Sequence, residues 1–205
     1  MNVQPLQPKR KSQVMRKRDA ETALLNAAEE LIAQQGITAT SLAQIGERAG
    51  YSRGLVNHHF GNKDALIARL AGRAQDWFVN RTAETTAPSG RAAILAAIDT
   101  YLEISLSGNK TARAFLVMWG ASFPDDASVE GLSENDARAR AGFEEMIITA
   151  QSDGSINTEI DPKASATVIL GLIRGVAAQS VVAGRGLGRE KVKAQCRKFI
   201  ESALG

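Results

Sequence analysis

The chain has 205 residues, 44% of them apolar and 23% charged, enough to bury one or two cores and too apolar to be disordered throughout. A single cysteine, Cys196, and two adjacent histidines, His58 and His59, exclude a disulfide scaffold, a Cys-rich zinc site and a His-based metal triad, so no metal or other cofactor is expected. The net charge of +3 is concentrated at the start, where Lys9, Arg10, Lys11, Arg16, Lys17 and Arg18 are accompanied by no acid. Residues 1–18 read as a basic disordered arm, either drawn to a polyanion or simply solvated, and they lack the apolar core of a secretory signal.

The predicted elements are all helical. Asp19 can cap a helix running to Gln35, with Ala23, Leu24, Ala27, Ala28, Leu31 and Ile32 at helical spacing and Gly36 at its end. Ser41 with Gln44 reads as a capping box for a short helix closing at Gly50, and Ser52 caps another to His59. Asn62 caps a fourth helix, from Lys63 to about Thr85, before a loop at 86–90. Ile94, Leu95, Ile98, Leu102 and Leu106 form an apolar stripe; Thr111 to Phe123 is aromatic-rich; 124–133 is a break; Ser133 to Ser152 is amphipathic. Asp161-Pro162 opens a helix to about Ala183, and Glu190 to Ala203 forms the last.

The informative segment is Thr40 to Lys63. A helix, a tight turn at Ala49-Gly50-Tyr51-Ser52 and a second short helix make a helix-turn-helix layout. Ile45, Ala49 and Val56 sit where the helices pack inward. Ser52, Arg53, Gly54, Leu55, Asn57 and His58 face outward, with donors suited to base edges or phosphates. The pieces Thr40-Ser41-Leu42, Ile45-Gly46, Arg48-Ala49-Gly50, Ser52-Arg53-Gly54, His59-Phe60 and Lys63-Asp64-Ala65-Leu66 resemble the DNA-binding domain of TetR-family transcriptional regulators, over about residues 19–68.

The resemblance implies double-stranded DNA as partner. It assigns phosphates to Thr40, Ser41, His59 and Lys63, backbone or base to Gln44, and the major groove or its edge to Ser52, Arg53, Gly54, Leu55, Asn57 and His58. Three positions depart from the family pattern: Asn57 replaces a tyrosine that touches the DNA backbone, Tyr51 a valine and Gly46 an alanine. Whether Asn57 reads a base or a phosphate is left open, as is a purely structural role for His59.

The resemblance also implies a helical ligand-binding and dimerisation domain over 66–205, following the helix-turn-helix domain of 19–65, with the fourth helix as the link. The later part resembles the C-terminal domains of betaine-synthesis regulators, without carrying a ligand across. Phe115, Met118, Trp119 and Phe123, with Phe143, Met146 and Ile147, read either as core or as the wall of an apolar cavity. Ala164 to Gly184 is apolar enough for a membrane span, but the central Arg174 points to a buried soluble helix. Arg174 meets either a ligand anion or an acid such as Glu144 or Glu145. Gly171, Gly175 and Ala178, with Val192, Cys196, Phe199 and Ile200, suit a four-helix interface between two copies.

The expected protein is therefore all-α, cytoplasmic and homodimeric: a repressor released from a palindromic operator by a small, largely apolar effector. An activator, or an architectural DNA-binding protein without an effector, has the same first domain. An enzyme is not expected, because no Gly-rich phosphate loop, G-x-S-x-G, H-E-x-x-H or Cys-His pair at a recognisable spacing is present.

Overall fold

The computed structural model describes residues 12–83, 89–121, 130–183 and 188–205. Lys9, Arg10, Lys11 and Phe123 lie outside the described residues. Within them the chain forms nine helices and no strand. In order they are α1 (Gln13–Ala39), α2 (Leu42–Ala49), α3 (Arg53–Phe60), α4 (Lys63–Ala83), α5 (Arg91–Leu106), α6 (Lys110–Ala121), α7 (Glu130–Ser152), α8 (Pro162–Ala183) and α9 (Arg189–Leu204).

The first helix begins well before the expected Asp19. Ser12 Oγ accepts the Met15 N–H at 3.2 Å and caps the first turn. Arg16, Lys17 and Arg18 are therefore helical residues and not part of a disordered arm. The helix kinks at Gly36 (φ 82°) and closes with the Thr40 N–H on the Ile37 carbonyl.

Two apolar cores organise the helices. The first joins α1–α4 to α6, through Leu24, Ile32, Ile45, Val56, Leu66, Leu70, Phe115 and Met118. The second joins α5, α7, α8 and α9, and takes in the whole predicted α5 stripe. The sixth helix, remote in sequence from α1, is fastened to it by a polar belt. Glu29, 5% exposed, accepts from Arg73 Nη2 at 2.5 Å and from Thr111 Oγ1 at 2.8 Å. Lys110 reaches Glu30 at 3.0 Å, and Arg113 Nε donates to the Ala33 carbonyl at 2.7 Å. At the other end Arg91 donates to the Gly205 and Glu201 carbonyls, tying the start of α5 to the end of α9.

The eighth helix starts as its sequence predicts, with Asp161 Oδ1 accepting the Ala164 N–H at 2.6 Å. By length and hydropathy it could span a membrane, yet Ala166, Ile169, Leu170, Ile173 and Ala177 are buried against the body and Arg174 is ion-paired. Val168 and Val182 are left exposed on its other face.

Candidate nucleic-acid interface and effector cavity

The short helices α2 and α3 are set by local chemistry. The capping box is complete: Ser41 Oγ accepts the Gln44 N–H at 3.2 Å, and Gln44 Oε1 accepts the Ser41 N–H at 2.8 Å. Gly50 closes α2 in the left-handed conformation (φ 77°), which costs other residues strain. Ser52 Oγ accepts the Leu55 N–H and caps α3. Ile45 and Val56 are fully buried between the helices, and Ala49 is half-buried beside them. Gly46 has a separate role, because a Cβ there would lie 2.8 Å from the Tyr51 carbonyl oxygen and 3.1 Å from Val56 Cγ2. Its missing side chain lets the turn fold tightly onto α2.

This packing leaves Ser52, Arg53, Gly54, Asn57 and His58 exposed, with Leu55 and His59 half-buried. Lys63 lies in the first turn of α4, where Asn62 Oδ1 caps the helix by accepting the Ala65 N–H at 2.8 Å. Helix dipole and lysine charge there favour an anion together. One expected phosphate contact does not fit. Thr40 is 1% exposed, and its hydroxyl donates to the Gly36 carbonyl at 2.7 Å. Its role is to close the kinked end of α1. Ser41 and Gln44 are exposed but occupied with each other, since the Ser41 hydroxyl also donates to Gln44 Oε1. The box uses Gln44 Oε1 and leaves the amide NH₂ out of it.

Two basic residues join the exposed face. Arg16 and Lys17, brought in by the early start of α1, line a groove with Tyr51, Leu55, His58 and His59. The signal for this lay in Ser12, an N-cap residue three positions before Met15. No group of three or more potential metal ligands occurs among the described residues.

A cavity of about 490 Å³ opens between α4, α5, α7 and α8, within the ordinary size for small-molecule sites. Phe143, Met146 and Arg174 line it, as expected. Phe115, Met118, Trp119 and Ile147, expected in the same wall, do not. Phe115 (2% exposed) and Met118 (0%) face the core shared with α1 and α4, and Ile147 (0%) is buried in the second core. Trp119 is half-buried and stacks near the Arg174 guanidinium, 5.2 Å from its ring centroid. The α4 wall supplies Gln75, Asp76, Phe78, Val79 and Thr82, and α5 supplies Ala93, Ala96, Ala97 and Tyr101. Small residues create the space here: the alanines lie beside the Leu/Ile stripe of α5, and Ala139 and Gly142 face them from α7.

Arg174 is 3% exposed. Its charge is answered by Asp136 on α7, which also holds Arg140; Glu144 and Glu145, the acids suggested by sequence, are not its partners. The Phe115 ring centroid lies 5.5 Å from the same guanidinium, so this one residue connects α8 to both α7 and α6.

On the outer surface, Val168 (69% exposed), Val182 (83%) and Phe199 (61%) are open apolar side chains on α8 and α9. Gly171 and Gly175 are exposed on the same side of α8, while Ala178 and Val192 are half-buried. Cys196 and Ile200, each 3% exposed, belong to the second core and so cannot serve a contact between copies. Burial raises the Cys196 thiol pKa, with the Asp99 charge adding to it.

A helix-turn-helix head joined through α4 and the α1–α6 contact to a helical body with a cavity is the layout of a regulator of transcription. Residues 24–70 match the profile of bacterial regulatory proteins of the tetR family, and residues 90–205 that of the C-terminal region of BetI-type transcriptional repressors. The chain belongs to the TetR family of DNA-binding transcriptional regulators, which are not enzymes. It is 29% identical over 107 residues to the transcriptional regulator BetI of Paraburkholderia phymatum, covering 51% of this chain and 55% of that protein; the match thus spans about half of that relative. A TetR-family regulator from Rhodococcus sp. has the same fold, with TM-score 0.82, 20% identity and coverage of 92% of this chain and 100% of the other. A transcriptional regulator from Saccharomonospora viridis, solved in complex with choline, gives TM-score 0.75 at 22% identity, covering 90% and 96%.

Proposed function

We propose that this chain is a homodimeric, cytoplasmic repressor whose operator affinity is lowered by a small, largely apolar effector. The observation that carries the reading is the continuity of α4. Over 21 residues, about 30 Å of helix, it runs from Lys63 beside α3 to Phe78, Val79 and Thr82 in the cavity wall. A molecule that fits the cavity differently in two conformers would shift the position of α3 through this rod, and only that difference in affinity can release DNA. The polar belt between α6 and α1 offers a second rigid connection, since Phe115 and Trp119 of α6 flank Arg174.

Residues up to about 65 act as the reading head and the remainder as the effector and dimerisation body. In the head, Arg53, Gly54, Asn57 and His58 enter the major groove, with Ser52 and Leu55 at its edge. His59, Lys63, Ser41 and the Gln44 amide meet phosphates, joined by Arg16 and Lys17. Two heads reach successive major grooves about 34 Å apart when the copies join through Val168, Gly171, Gly175, Val182 and Phe199, with Ala178 and Val192 at the margin. The choline complex of the S. viridis regulator supports a small-molecule site in this fold.

The test is fluorescence anisotropy of a labelled duplex from upstream of the chain's own gene, against a scrambled duplex, at two salt concentrations. Preferential binding that weakens with salt and is reduced in Arg53→Ala is the expected result. Equal binding to both duplexes favours an architectural role.

A further inference from the structure

The sixth helix lies far along the chain from the head, yet two consecutive carboxylates of α1 clamp it there. Glu29, 5% exposed, accepts from Thr111 Oγ1 of α6 at 2.8 Å and from Arg73 Nη2 of α4 at 2.5 Å. Glu30 accepts from Lys110 Nζ of α6 at 3.0 Å and pairs with Arg48 Nη1 of α2 at 3.5 Å. The first turn of α6 is thus tied, through α1, both to α4 and to the helix that packs on α3. That turn is itself fixed, because Asn109 Oδ1 accepts the Thr111 and Ala112 N–H groups and Arg113 Nε donates to the Ala33 carbonyl. A buried carboxylate held by a guanidinium and a hydroxyl resists displacement, since losing either donor leaves a desolvated acceptor unmet.

Further along, α6 bears on α8. The Phe115 and Trp119 ring centroids lie 5.5 Å and 5.2 Å from the Arg174 guanidinium. The same α8 carries Val168 and Val182 on its exposed face. The sixth helix therefore runs from the clamp on the head to the helix assigned above to the contact between copies.

We propose that α6 is the strut that sets the separation of the two reading heads, with Thr111 and Lys110 as the positioning residues that hold it to α1. The inference rests on the homodimer reading above. Two heads must meet successive major grooves at once, and a firm strut holds them ready to do so. A loosened strut costs affinity for a complete operator, because the second head is no longer preorganised. One head on one half-site is unaffected, since neither residue belongs to the α2–α3 face.

The test uses the full chain and two labelled duplexes: an inverted repeat recovered from a random pool, and the same duplex with one half-site scrambled. Thr111→Val keeps the shape and removes the hydroxyl donor. It is expected to bind the complete repeat several-fold more weakly than the parent and the single half-site equally well, with the salt dependence unchanged. Thr111→Ser is expected to restore the parent affinity. Lys193→Met breaks a comparable pair within the body, to Glu103 at 2.6 Å, and is expected to change neither duplex. If Thr111→Val fails to fold, Lys110→Met decides the matter: that side chain is 59% exposed, and a smaller loss confined to the complete repeat is expected. Equal weakening on both duplexes, no weakening on either, or the same loss in Lys193→Met overturns the strut while DNA reading stands. A parent that gains nothing from the second half-site overturns the homodimer reading and the strut together.

Discussion

The α2–α3 head and the cavity between α4, α5, α7 and α8 are held by different kinds of interaction. In the head, every cap is made within three residues: Ser41 with Gln44, Ser52 with Leu55, Asn62 with Ala65. Its few buried side chains serve only to fix an exposed polar face. The cavity is assembled across long stretches of sequence, Arg174 meeting Asp136 and Phe78 stacking on Tyr101. The head is thus a rigid presenter, while the body keeps an open cavity between its helices. A regulator needs both properties, and it needs them apart.

The contrast can be broken most forcefully in the core that joins the two regions. Met118 is fully buried between α6, α1 and α4, so Met118→Ala is expected to lower unfolding free energy by about 2–5 kcal/mol. Met146→Ala, on the cavity wall, is expected to cost clearly less stability but to alter effector binding. Urea unfolding of both variants checks the ordering; equal losses would return Met118 to the cavity.

At the head, Arg53→Ala is expected to weaken operator binding by about 1–3 kcal/mol with thermal stability unchanged, as anisotropy and a melting curve on one sample will reveal. Gly46→Ala pushes a methyl against the Tyr51 carbonyl and is expected to cost about 1–3 kcal/mol of stability by overpacking. Because it displaces the turn between α2 and α3, operator affinity should fall with it. Ser41→Ala removes the cap alone and is expected to cost about 1 kcal/mol of stability.

Legibility follows the same division. The caps of α2, α3 and α4 could be read from the sequence because each depends on a neighbour three residues away. The first helix was read too short, since Ser12 gave a cap signal that the charge run around it obscured. The α5 stripe could be read as periodicity, but not the fact that the alanines beside it leave a void. That depends on α4 and α7 standing opposite. Phe115, Met118 and Ile147 illustrate the same limit, because an aromatic or sulfur-bearing stripe has the same spacing whether it faces a core or a cavity. Arg174 clearly needed a partner, but only the fold brings Asp136 to it across 38 residues. Cys196 and Ile200 lie on the buried side of α9, whereas Phe199 between them is exposed.

The smallest expected effect concerns pH. The hydrogen bond from Lys110 holds the Glu30 carboxyl below its ordinary value of 4.5, with Lys110's charge and the Arg48 guanidinium adding to it. A carboxylate whose folded pKa is lowered contributes stability that is fully present above the ordinary value and is lost as pH falls through the lowered one. Glu30→Gln should therefore be slightly less stable than the parent at neutral pH, with the difference closing in acid. Melting temperatures from pH 7 down to pH 3 test this, and a difference that widens in acid would contradict it. Glu30 is partly open to solvent, with a side-chain exposure of 37%, so the effect is modest.

The central claim is that α3 reads DNA sequence as one half of a symmetric pair. Selection of duplexes from a random pool by the purified chain tests it most directly. The account predicts enrichment of an inverted repeat with half-sites about one helical turn apart, with the preference relaxed at one position of each half-site when Arg53→Ala is used instead. Recovery of duplexes with no common sequence, or of the same sequence with equal stringency at every position by both proteins, would contradict it.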